Sequence, residues 1–277
     1  MRLALKLVAR KDCVQDKENN SKFYTGMHGW IYDKIKGTEF SEIYSQRGFK
    51  PFCFSNLFNI SNKRIEGGKD YNLIISSPNE MFMIALLSKI NVPEEINLGE
   101  YSFRLTVYKP LGKMEIKRWE ILESETIINI CLNENGKRKA ITLSKNSDLF
   151  KEHLAKNLIK KYNQESKDKV EEDFNLFNNT VIEEIGNSES AIKIDLVKDS
   201  DNWFNVIGAR YRFKIGEINE TQKRVLQLGY DLGFGERNTF GFGFMNIKSG
   251  KSKRNSEGNP REIKKNRNIT EREVEDD

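Results

Sequence analysis

The stretch that decides how this chain folds is Asp231–Lys248, DLGFGERNTFGFGFMNIK, with glycines at 233, 235, 241 and 243 and phenylalanines at 234, 240, 242 and 244. Before it, NETQKRVLQLGYDLG (219–233) reads as a helix; at its end, GFMNIK (243–248) reads as a strand. A phosphate-binding Walker A loop needs G-x-x-x-x-G-K-[ST] after a strand and before a helix. Here no Lys-Ser/Thr pair follows a glycine, and the helix comes first. The dinucleotide fingerprint G-x-G-x-x-G also fails, because Asn238 occupies its third glycine position. Two readings remain. One is a glycine-padded helix-to-strand connection. In the other, glycines at positive φ expose amide N–H groups to an anion, and Arg237 adds a charge-assisted contact. Paired glycines at both ends of a five-residue gap exceed what a C-cap requires, so Gly233, Gly235, Arg237, Gly241 and Gly243 are candidate phosphate-backbone ligands.

Outward from this segment the elements repeat an order. RLALKLVA (2–9) alternates as a strand, and FYTGMHGWIYDKIKG (23–37) places Met27, Ile31 and Ile35 on one helical face with Gly37 as a stop. FCFSNLFNI (52–60) and YNLIISS (71–77) read as strands about the turn EGGKD (66–70). The helix PNEMFMIALLSKI (78–90) and the strand LGEYSFRLTVYKP (98–110) complete βαββαβ, the ferredoxin-like unit. In the second half KMEIKRWEILES (113–124) and TIINICLNENGKRKAITL (126–143), with its NENGK turn, supply strands. A helix SDLFKEHLAKNLIKKYNQ (147–164) follows, with Ser147 or Asp148 as N-cap. After a polar stretch, 164–180, come the strands AIKIDLVKD (191–199) and FNVIGARYRFKIG (204–216), then the helix and last strand already described. The fold class expected is α+β, two tandem ferredoxin-like domains over 1–112 and 113–248.

The 277 residues, 37% hydrophobic, suffice for one or two cores. No apolar run reaches membrane-spanning length, and MRLALKLVARKDC is too charged and short for a signal peptide, so a cytoplasmic protein away from membranes is expected. Three scattered cysteines and two histidines, His28 and His153, point away from a disulfide framework or zinc cluster. The tail 249–277, basic and then acidic (EREVEDD), reads as disordered.

GFGERNTFGFGFM (233–245) fits G-h-G-x-x-x-x-x-G-h-G, where h is apolar. It thereby resembles the C-terminal signature of the CRISPR-associated repeat-processing endoribonucleases of the RAMP superfamily, and the tandem element order agrees over residues 1–248. The resemblance implies an enzyme that cuts precursor CRISPR RNA within each repeat, with neither metal nor other cofactor. The 2′-hydroxyl attacks the adjacent phosphorus, leaving a 2′,3′-cyclic phosphate and a 5′-hydroxyl. Such chemistry needs a base for the 2′-OH proton, an acid for the leaving oxygen and a stabiliser of phosphorane charge. Histidine titrates near working pH and suits the acid or base role. His28, beside the Met27/Ile31/Ile35 face with Tyr32 one turn onward, is the first candidate. GWIYDKIK resembles the family's first helix, where the tyrosine matching Tyr32 positions phosphate or ribose. Lys50 in GFKPF (48–52) matches a lysine that stabilises transition-state charge. Some members instead carry their histidine in the next connection, here EIYSQRG (42–48), which has none but offers Tyr44.

His153 is the competing histidine; taken alone it is a boundary residue on a second-half helix that also presents Lys151, Lys156, Lys160 and Lys161, either a phosphate track or a solvated face. In GARYRFKIG (208–216), Arg210, Arg212 and Lys214 share one strand face as candidate RNA contacts, with Tyr211 and Phe213 turned into the core. Lys63, Arg64 and Lys69 form a weaker basic group. The implied partner is CRISPR repeat RNA, with a CRISPR effector complex and a homodimer left open. Two rivals stand beside this reading: a non-catalytic RAMP subunit that binds guide RNA, and an unrelated two-domain protein with a small anionic ligand.

Overall fold

The computed structural model describes residues 1–45, 48–60, 63–195 and 203–248. The expected disordered tail lies outside the described residues. In the first half the strands are β1 (Arg2–Ala9), β2 (Cys13–Val14), β3 (Cys53–Phe54), β4 (Arg64–Ile65), β5 (Asp70–Ser76), β6 (Glu94–Leu98) and β7 (Tyr101–Leu111). The helices are α1 (Lys17–Ile35) and α2 (Glu80–Leu87). The sheet runs β3-β5-β1-β7-β6 with antiparallel neighbours, which is the ferredoxin-like order plus one edge strand. β6 was not foreseen: it falls almost wholly in the stretch 91–97, for which no element was expected. The expected strand over 52–60 shrinks to Cys53–Phe54 and an isolated bridge from Phe58 to Asn72. Phe52, Phe54 and Leu57 are buried there without regular pairing.

α1 begins six residues earlier than expected and is followed by Gly37 at φ +70°. Its face Phe23, Met27, Ile31, Ile35 is buried against β1, β5 and β7. Each such side chain contributes about 1.5–3 kcal/mol, so a charge at Ile31 would undo the packing of this helix.

The second half repeats the plan with β8 (Ile121–Ser124), β9 (Cys131–Glu134), β10 (Lys137–Ala140), α3 (Ser147–Glu165), β11 (Thr180–Asp195), β12 (Trp203–Ile215), α4 (Glu220–Leu232) and β13 (Met245–Lys248). The sheet order is β11-β12-β8-β13, while β9 and β10 form a separate hairpin about the predicted NENGK turn. The cap of α3 is Asn146, whose side chain accepts from the Leu149 amide at 3.0 Å; it precedes the expected Ser147 or Asp148. α4 carries a capping box between Asn219 and Gln222. β11 starts at Thr180, inside what was read as polar connection, because Ile182 packs into the second core.

The halves share an interface. Arg2 of β1 is buried, donates to the carbonyls of Tyr230 (2.8 Å) and Met245 (2.7 Å), and lies 3.6 Å from the Tyr230 ring centroid. Phe242, Ile127 and Val206 of the second half join the first core. Among the described residues no helix is long and apolar enough to cross a membrane.

Candidate functional site

The glycine segment forms the seam between the halves. α4 ends at Gly233 (φ +90°), a short 3-10 turn spans Asn238–Phe240, and β13 begins at Met245. All four glycines of the motif hold positive φ and are buried. Gly233 donates to Gly229, Gly241 to Asn238 and Gly243 to Ile127, all within the protein. The need for glycine is steric: a Cβ on Gly243 would lie 1.8 Å from the Phe234 carbonyl oxygen, and one on Gly241 would lie 2.5 Å from the Phe54 ring. Phe234, Phe242 and Phe244 fill the cores on either side. The glycines therefore shape the loop from within, and the amides of Gly233, Gly241 and Gly243 are bonded inside the protein.

Two side chains hold this loop in a role that the sequence reading did not assign to them. Lys161, on α3, is buried and donates to Gly233 O (2.8 Å), Gly235 O (2.5 Å) and Asn238 Oδ1 (2.7 Å), matching the three N–H groups of an ammonium. Burial pushes its pKa down to about 7, while Cys53 and Glu236 pull the other way. Asn238 in turn donates to Phe234 O and Phe242 O, so the residue that broke the dinucleotide fingerprint ties both glycine pairs together. Lys161 is thus neither a phosphate track nor a solvated lysine. Its signal was present: it lies three residues after Leu158 and seven after Leu154, on the apolar face of α3.

On the α1 side the same loop meets His28. The imidazole Nδ1 is 3.0 Å from Thr239 O, and the ring stacks on Phe240 at 4.0 Å between centroids and 4° between planes. A carbonyl can only accept, so Nδ1 carries the proton and the neutral ring has its lone pair on Nε2. Partial burial lowers the His28 pKa, opposed by the Thr239 bond, and favours that neutral form. Tyr32 lies 4.7 Å from the His28 ring, edge-on, and packs against Phe52 at 5.5 Å. Lys50 stands two residues before Phe52, half-buried, with its pKa lowered by desolvation. The segment carrying it is fixed by Gln164 of α3, which accepts from the Phe49 amide and donates to the Phe49 carbonyl, both at 3.2 Å. His28 and Tyr32 are thus in direct contact, and Lys50 belongs to the chain that packs beneath Tyr32. Tyr44 ends a 3-10 turn, Ser41–Tyr44.

The other candidates are engaged elsewhere. Tyr211 and Phe213 are in the core as expected, and Arg210, Arg212 and Lys214 share the opposite face. On that face Arg212 is paired with Glu123 (2.6 Å) and Lys214 with Glu183, while Arg210 donates to the Ser124 carbonyl (2.9 Å). Arg64 and Lys69 pair with Asp12 and Glu66. Arg237 takes φ +60° at the head of the 3-10 turn, half-buried. His153 lines a cavity along α3. Among the described residues no group of three or more His, Cys, Asp or Glu could hold a metal ion.

Two ferredoxin-like units joined by a G-h-G-x5-G-h-G seam define a RAMP-class protein. Residues 114–247 match the family described as CRISPR associated protein Cas6, C-terminal. Over 251 residues the chain is 28% identical to a CRISPR-associated endoribonuclease, Cas6 2, of Methanocaldococcus jannaschii, covering 89% of this chain and 99% of that protein. It is 22% identical over 261 residues to a CRISPR-associated endoribonuclease Cas6 of Haloferax mediterranei, covering 89% and 93%. A solved structure of a Cas6-related protein from Pyrococcus furiosus superposes with a TM-score of 0.64 at 23% identity, over 90% of this chain and 98% of that one. These matches together support a CRISPR repeat-processing protein of the Cas6/RAMP kind.

Proposed function

We propose that this protein is an endoribonuclease that cuts precursor CRISPR RNA within its repeats, without a metal, by attack of a 2′-hydroxyl on the adjacent phosphorus. The observation that carries the reading is His28, whose Nδ1–H is fixed on Thr239 O so that Nε2 is the basic nitrogen. Nε2 takes the 2′-OH proton as the oxygen attacks; the P–O5′ bond breaks and the leaving oxygen takes a proton from water, giving a 2′,3′-cyclic phosphate and a 5′-hydroxyl. Tyr32, held edge-on to His28, positions the phosphate or ribose, and Lys50 offsets the charge that builds on the phosphorane oxygens. The catalytic residues would then belong to the first unit, 1–112, and the glycine seam to the second, 113–248. Curated relatives named as CRISPR-associated endoribonucleases support the activity.

The test incubates the protein with a labelled repeat RNA in EDTA. A single cut leaving a cyclic phosphate is expected, abolished by a 2′-deoxy substitution at the attacking position. Tight binding with no cut under any condition would replace this reading with that of a guide-RNA-binding RAMP subunit.

A further inference from the structure

Ahead of β8 the chain makes a short turn, 118–119, in which Trp119 holds left-handed backbone at φ +67°. A bulky aromatic residue rarely adopts that region, and one held there is strained. Burial does not offset the strain. The side chain is 73% exposed, the most of any large hydrophobic side chain among the described residues, and it packs in neither core. Trp30, by contrast, packs against the first core and donates its indole N–H to Glu94 at 3.0 Å. Nor does the indole hold the turn together. The Glu120 carboxylate accepts from the Lys117 amide at 2.8 Å, and the Glu120 carbonyl accepts from the Ile215 amide at 2.9 Å. Strain without burial marks a side chain kept for a task outside the fold.

The surroundings indicate the task. Lys117 and Arg118 precede Trp119, both exposed, and Arg118 meets Glu217 only at 4.0 Å, between two exposed side chains. So loose a surface pair yields readily to a phosphate. A protein partner would seat a large indole in an apolar patch, whereas the chain neighbours of Trp119 are charged on both sides. An aromatic face beside cations is the arrangement that stacks an unpaired base of a single strand. The turn also stands apart from His28. β8 runs from it to Ser124, an extended span of roughly 17 Å, and only beyond Ser124 does the chain meet the glycine seam, where the Ile127 carbonyl accepts from Gly243. We infer that Trp119 stacks one unpaired base of the RNA away from the scissile bond, with Lys117 and Arg118 beside the adjoining phosphates. The inference rests on the RNA-processing reading, which supplies the strand.

The test measures anisotropy of a labelled repeat RNA made uncleavable by 2′-deoxy substitution at the attacking position, with abasic residues placed singly through its unpaired positions. Trp119→Ala should weaken binding roughly five- to a hundredfold, the range of one base–aromatic stack, and Trp119→Phe should recover most of the loss. One abasic position should weaken wild-type binding by the same factor and be silent in Trp119→Ala. The slope of log affinity against log salt should stay that of wild type, because a stack releases no counterion. Trp119→Gly should bind as weakly as Trp119→Ala yet melt no lower than wild type, since glycine relieves the left-handed backbone. Wild-type affinity in Trp119→Ala, or abasic effects that all persist in it, overturns the stack and leaves the indole to a protein partner. A lower melting temperature for Trp119→Gly makes the tryptophan structural and overturns it as well. Because the assay needs no cleavage, position-specific stacking by a protein that cuts nothing would remove the enzyme reading and leave the stack. Normal cleavage with full affinity in Trp119→Ala would do the reverse.

Discussion

α1 and α3 hold matching places in the two halves: each has 19 residues and follows the first strand of its sheet, and each touches the glycine seam. They touch it differently. α1 offers a half-buried imidazole whose Nδ1–H ends on one carbonyl, Thr239 O. α3 sends in a fully buried ammonium whose three N–H groups all end on the loop. One repeat has kept a titratable group near the surface, and the other has committed its group to architecture. The seam couples them, because the turn whose entry Lys161 fixes is the turn whose exit aligns His28.

The comparison breaks most completely if the seam itself is broken. Gly243→Ala sets a Cβ against the Phe234 carbonyl in left-handed backbone, and a loss of about 4 kcal/mol or more is expected in urea melts. A variant as stable as wild type would show that the seam has slack. His28→Ala separates the helices by function: single-turnover cleavage should fall roughly 10²–10⁴-fold with RNA affinity and melting nearly unchanged. Wild-type speed would move the base to Tyr44 or His153. In the unmodified protein the rate should rise with pH through a midpoint below the ordinary histidine value of 6.5 and level off above it, since burial lowers the His28 pKa. A midpoint above that value would count against His28 as base.

Lys161→Met tests the other helix. It strands three buried oxygens and should cost about 3 kcal/mol of stability, with a smaller loss in cleavage than His28→Ala. Its pH dependence has a definite sign. The folded pKa is pushed to about 7, while the unfolded lysine titrates near about 10.4. Between those values the unfolded chain holds a proton that the folded chain has released. The stability contributed by Lys161 therefore grows as pH rises and is lost as pH falls toward 7. The gap between wild type and Lys161→Met should widen from pH 7 to 9, by at most about 1.4 kcal/mol per unit. A flat gap would mean that the three oxygens keep the ammonium charged. The smallest effect belongs to β12, where Arg212 is paired with Glu123 and Arg212→Ala should change RNA affinity by less than about 1 kcal/mol.

Much of the architecture was written in periodicity. The apolar spacing of 27, 31 and 35, the alternation in GARYRFKIG and the NENGK turn each specified an element that the fold contains. The neighbouring of His28 and Tyr32 was legible too, because four residues apart on a helix means one turn apart. What escaped was of a different kind. Thr239 acts through a backbone carbonyl, which no side-chain pattern announces. Lys161 looked like one of a run of surface lysines, because a charged residue on an apolar stripe is buried only when its partners come from elsewhere in the chain. Here they are 72 to 77 residues away. Glycine content was read as close approach, and the approaching surface is the protein's own: the Phe234 carbonyl at Gly243 and the Phe54 ring at Gly241.

Arg2 adds a consequence in time. It leaves the ribosome well before its hydrogen-bond acceptors, which lie 228 and 243 residues further on. At about 5–20 residues per second, the guanidinium waits on the order of ten to fifty seconds for them. Throughout that interval β1 can pair with its own sheet, but its first turn of chain stays open at the face where the second repeat will dock. Synthesis of the last strand, and not completion of the first repeat, closes the molecule.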